Sequence, residues 1–174
     1  MTADELTEAW YGLQFGVRRS VRYHQRRRGF FERLDTLSSL LSVLFGSAVI
    51  YGVLAAHSTA LVLAASVLVT LAASLNLVFG CTRRAWQHAD LARRFTELER
   101  QLLAKPDEDM FHELTAQRLM IEADEPPVLR VLDVLCHNEL LRAEGHTEGY
   151  GRIGFWQRVF AQVFDLRADR MGHA

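Results

Sequence analysis

The residue types that carry most enzyme and metal chemistry are present, but they do not gather. Seven histidines, at positions 24, 57, 88, 112, 137, 146 and 173, share no ligand spacing. There is no Gly-rich phosphate loop, no Cys-x-x-Cys and no His-Glu-x-x-His. His137, Asn138 and Glu139 are consecutive, so on a helix they point in different directions and read as a hydrogen-bonded helix junction. Cys81 and Cys136 have no nearby base in sequence to form a thiolate, and their apolar neighbours point to plain packing. These features predict no catalytic residue, no cofactor and no metal, and a protein that is not an enzyme. Two constellations remain. One is the small polar row Ser38, Ser42 and Gly46, together with Asn76; the other is the basic cluster Arg18, Arg19, Arg22, Arg26, Arg27 and Arg28.

Both belong to a chain divided sharply by charge. From Thr36 to Thr82 there are 47 residues without an Asp, Glu, Lys or Arg, so all 20 Lys and Arg and all 21 Asp and Glu lie outside. The stretch divides into residues 37–56 and 60–79, each 20 long. About 20 helical residues cross a hydrocarbon core of about 30 Å. Only His57, Ser58 and Thr59 separate the two, which is a tight turn. A soluble chain of 174 residues is hardly large enough to wrap two such helices on all sides. The fold expected is an all-α membrane protein: a two-helix transmembrane hairpin (34–82) between an N-terminal amphipathic cytoplasmic helix (1–33) and a cytoplasmic helical bundle (83–174). No secretory signal is expected, because the first apolar run begins at Leu34 and has no typical cleavage site.

Seven Arg from Arg18 to Arg33 precede the first span, Arg83, Arg84, Arg93 and Arg94 follow the second, and the turn has none. The positive-inside rule puts both termini in the cytoplasm and the turn outside, with Cys81 and Cys136 reduced and under no need to pair.

Within the spans, Ser38, Ser42 and Gly46 recur every four residues, flanked by Ser39 and Ser47. Small residues at this spacing let helix backbones approach closely, or line a narrow water path in an oligomer. Asn76 is the one strongly polar side chain of either span and needs a neighbouring helix or water.

Residues 4–28 read as an amphipathic helix with Leu6, Trp10, Leu13, Val17, Val21 and His24 on one face. Its Arg face is solvated or lies on anionic headgroups; the acidic balance elsewhere argues against nucleic acid. The segment is expected to end at Arg26–Gly29. A single helix is expected from about Ala60 to Ala104, with Leu91, Phe95, Leu98 and Leu102 as its cytoplasmic stripe. Asp107 is a plausible N-cap for a helix over 108–123. Pro127 fits the first turn of a core helix that Gly145 ends. The last helix, from Phe155 to about Ala168, carries Phe155, Trp156, Phe160 and Phe164 on one half. That half packs beneath the hairpin or lies in the lipid interface.

This order of parts resembles the SLATT domains, bacterial two-transmembrane effectors associated with nucleotide-second-messenger conflict systems. The likeness rests on Tyr23-His24 and the Arg cluster before the hairpin, the charged helix RRAWQHADLARRFTELERQL after it, HNELLRAEG in a late helix, and a terminal amphipathic helix. It implies a homo-oligomeric pore-forming effector of anti-phage defence, triggered by a separately encoded nucleotide synthase or sensor, with the lipid bilayer as partner and no catalytic residues. A non-conducting membrane scaffold or regulatory subunit, and a membrane-bound nucleotide receptor, are the competing readings.

Overall fold

In the computed structural model the chain is all-helical. Among the described residues it has α1 Ala3–Leu54, α2 Thr59–Phe79, α3 Cys81–Gln101, α4 Glu108–Ala123, α5 Arg130–Ala143 and α6 Phe155–Phe160, and no strand. The structure describes residues 1–54 and 59–166, without the side chains of 48, 53, 54, 75, 76 and 79. The expected turn at His57 and Ser58 lies outside them. Two units form, one of Met1–Arg27 with His88–Ala174, the other of Arg28–Gln87; the sequence division falls instead at 33/34 and 82/83.

In the first unit, the apolar stripe of α1 packs as its spacing predicts. Trp10, Leu13, Val17 and Val21 meet Leu91, Phe95 and Leu98 of α3, Leu102 just after it, and Leu114 and Ile121 of α4. The Trp10 indole N–H donates to the Leu102 carbonyl at 3.1 Å, satisfying one of the carbonyls that a helix end leaves without a partner. Asp107 caps α4, its carboxylate accepting from the Met110 amide at 3.0 Å. A second cluster joins Tyr23 to Val131, Leu132, Leu135 and Cys136 of α5 and to Ala161.

Helix α5 begins at Arg130, not at the prolines. Pro126 and Pro127 hold the chain extended, and the free amides of the helix start are satisfied from elsewhere. The Leu129 amide donates to the Tyr23 hydroxyl, and the Arg130 and Val131 amides to the Asp165 carboxylate. Helix α6 stops at Phe160 and the chain then turns, bringing Asp165 to that cap; the expected helix end at Ala168 lies outside the described residues. At the other end Gly145, at φ 81, closes α5 with His146 N–H donating to Leu141 and Gly145 N–H to Arg142. This is the paired arrangement a glycine past the last helical residue permits.

Two expectations about helix ends are corrected. Helix α1 does not end at Arg26–Gly29. A lone Gly disfavours a helix by only about 1 kcal/mol, and the Arg28–Glu32 pair at 2.7 Å bridges it. The helix expected over Ala60–Ala104 is broken at Gly80, whose φ of 55 lies in the left-handed region open to glycine.

Among the described residues, one helical stretch, Ala3–Gly52, is long and apolar enough to cross a membrane, with a window of mean hydropathy 1.5 of which 0% is buried. Helix α2 contributes the shorter apolar stretch Thr59–Ser74. Phe31, Cys81 and Ala85 are buried together with Phe30 and Leu34 packed on them, and the Arg84 guanidinium lies 5.7 Å over the Phe31 ring.

Candidate functional site

The small polar row divides in the structure. The Ser38 hydroxyl donates to the Ala72 carbonyl of α2 at 3.2 Å, so this residue belongs to the packing of α1 on α2. Ser42 is half-buried, and beside it Ser38, Ser39, Gly80, Thr82 and Arg83 open a groove of about 670 Å³. At Gly46 a Cβ would meet nothing within 4 Å, so this end of the row faces open space. The close approach inside the chain is at Gly52 instead, where a Cβ would stand 2.7 Å from Val62 Cγ2. Asn76 lies in α2 with its side chain outside the described residues.

Three other hydroxyls of these helices are satisfied by their own helix. Ser47, Ser66 and Thr70 donate to Val43, Val62 and Ser66, each a carbonyl four residues back at 2.7–2.9 Å. A polar side chain satisfied by its own helix can face an apolar medium. Around them Leu40, Val43, Leu44, Ile50, Leu61 and Leu63 are exposed.

Most of the basic cluster pairs with carboxylates, while Arg26 and Arg28 stay exposed. Arg18 pairs with Glu99 and Glu144, Arg19 with Asp133, Arg26 with Glu139 and Arg28 with Glu32. Arg27 is buried and donates to the Gln162 carbonyl. Arg22 has no ion pair among the described residues and lines a groove of about 550 Å³ with Arg18, Gln25, Glu99 and Glu144. Burial pushes the Asp133 carboxyl above its ordinary value, against the pull of Arg19.

A buried polar site stands where α1, α3 and the link from α4 to α5 meet. His24 and His88 are 1% and 3% exposed, and their Nδ1 atoms are 2.9 Å apart. His24 Nε2 lies 3.1 Å from Glu125 Oε1. One ring donates and the other accepts across the Nδ1–Nδ1 contact, which holds a single proton. Phe95 stacks on His24 at 5.6 Å and Tyr23 meets it edge-on at 5.2 Å. No set of three or more His, Cys, Asp or Glu among the described residues is arranged to hold a metal ion.

Comparison with known proteins adds no relative. No family model, no curated protein and no solved structure matches the chain.

The junction read at His137-Asn138-Glu139 is present. Asn138 donates to the Gly151 carbonyl and accepts from its amide, His137 contacts the Gly149 carbonyl, and Glu139 pairs with Arg26. Cys81 and Cys136 are free and buried, and burial pushes the Cys136 thiol up to about 12. The His24–His88 pair was missed because its members are far apart in sequence. The available signal was periodic: His24 continues the stripe through Val17 and Val21, and His88 sits three residues before Leu91.

Proposed function

We propose that the chain is a homo-oligomeric effector that permeabilises the bacterial inner membrane in anti-phage defence, on a signal from a separately encoded nucleotide synthase or sensor. The observation that carries this reading is the apolar stretch of α1, none of whose best window is buried by the rest of the chain. An apolar surface of that length needs lipid or further copies to cover it. Helix α2, running beside α1 through the Ser38–Ala72 bond, supplies the second span of a hairpin with both termini in the cytoplasm.

Copies meet on the face of Ser42 and Gly46, where the structure leaves room, and Ser38, Ser42 and Asn76 turn toward a water path on activation. The Gly80 break divides the second span from α3, so gating works through a joint and not through one stiff rod. The resemblance to SLATT domains supports the pore and the outside trigger. In cells given the chain and its trigger, a potential-sensitive dye is expected to report collapse, and Ser42→Leu to blunt it without preventing insertion. Full potential in cells that hold the assembled, triggered protein would replace the pore by a non-conducting scaffold.

A further inference from the structure

The terminal segment presents its aromatic side chains outward. Phe155, Trp156, Val159, Val163 and Phe164 are all exposed, Trp156 by 63%. They are ordered against one another: Trp156 stacks on Phe160 at 6.3 Å, and Phe160 on Phe164 at 5.1 Å. The segment is anchored from its other side. Ala161 is buried against α5, the Gln162 carbonyl accepts from Arg27, and Asp165 caps α5. The backbone is thus fixed while the aromatic side is uncovered by any described residue. Residues 150–164 hold two Arg and no Asp or Glu. Arg152 and Arg158 are exposed and have no ion pair among the described residues, unlike most of the Arg of α1.

We infer that this patch is a second membrane contact, lying in the interface of an anionic leaflet. Trp and Phe with an apolar body at headgroup depth, flanked by exposed Arg, match such a surface in both polarity and charge. A protein partner chosen by this patch would have to offer an apolar groove with an acidic rim; a leaflet rich in anionic lipid offers both at once. The inference rests on the membrane reading of α1.

The test uses the full chain with Trp86→Phe, which leaves buried Trp10 and Trp156 as emitters, in nanodiscs of phosphatidylcholine and phosphatidylglycerol. Shallowly brominated acyl chains are expected to quench the emission that Trp156→Phe removes, severalfold relative to plain lipid. Arg152→Gln or Arg158→Gln should each weaken the contact roughly fivefold, the equivalent of about 1 kcal/mol. Equal Trp156 emission in brominated and plain discs, with the chain incorporated, would overturn the patch and leave the spans standing. Emission that shifts only when discs hold several copies would also overturn it, in favour of a second chain. Failure of the chain to enter discs would overturn the membrane reading and this contact together.

Discussion

Gly46→Leu separates packing within the chain from packing between chains. At Gly46 the new side chain enters open space, since a Cβ there meets nothing within 4 Å. Replacing Gly by Leu in a helix interior also favours the helix by about 0.5–1 kcal/mol. The isolated chain should therefore be as helical as the wild type, or slightly more so. A neighbouring helix seated against Gly46 would be pushed away. Losing roughly twenty atom contacts at about 0.1–0.2 kcal/mol each amounts to about 2–4 kcal/mol. Near the middle of that range the association constant falls about a hundredfold. Gly52→Leu is the control with the opposite expectation. Its Cβ would already stand 2.7 Å from Val62 Cγ2, and overpacking of this kind destabilises by about 1–3 kcal/mol. Energy transfer between donor- and acceptor-labelled copies in liposomes, followed against the protein-to-lipid ratio, reads the first effect; circular dichroism on heating reads the second. If Gly46→Leu associates like the wild type, the open face is not where copies meet. If it loses helicity like Gly52→Leu, the room seen at Gly46 is not there.

Three further outcomes are expected. Gly80→Ala should destabilise by about 1–2 kcal/mol through backbone strain alone, because φ is 55 and no atom lies near its Cβ, lowering the unfolding midpoint without changing helicity. His24→Phe and His88→Phe should each destabilise by about 1–3 kcal/mol by leaving a buried partner unsatisfied, and the double variant by less than their sum; a denaturant-unfolding cycle with additive effects would deny the coupling. The Cys136 proton is held more tightly in the folded chain, about 12 against an ordinary 9.0. Its contribution to stability is therefore intact below about pH 9 and falls as pH rises from 9 toward 12. At neutral pH, iodoacetamide should modify Cys136 only on unfolding.

How far the sequence was legible depended on the range of the interaction. The stripe from Trp10 to Val21, the partners Leu91 to Leu102, the Asp107 cap and the Gly145 stop follow from period and local chemistry, and all stand in the structure. Helix ends set from a distance did not. Asp165 and Tyr23 fix where α5 begins, and a lone Gly could be read neither as tolerated at position 29 nor as breaking at position 80. The Arg cluster could be counted but its carboxylate partners could not be assigned, because Glu99, Asp133, Glu139 and Glu144 reach it from other helices. In the small polar row, spacing alone treated Ser38 and Gly46 alike, whereas one packs inward and the other faces out.

The most direct measurement is thiol access at Ser42 in living cells. Ser42→Cys is compared with Leu44→Cys on the exposed apolar side, using a membrane-impermeant reagent added from outside and the parent chain as background. Ser42→Cys is expected to be modified after triggering and protected before it, in step with loss of membrane potential, while Leu44→Cys stays protected throughout. Protection of Ser42→Cys in triggered cells, or equal modification of Leu44→Cys, would contradict a water path on this face.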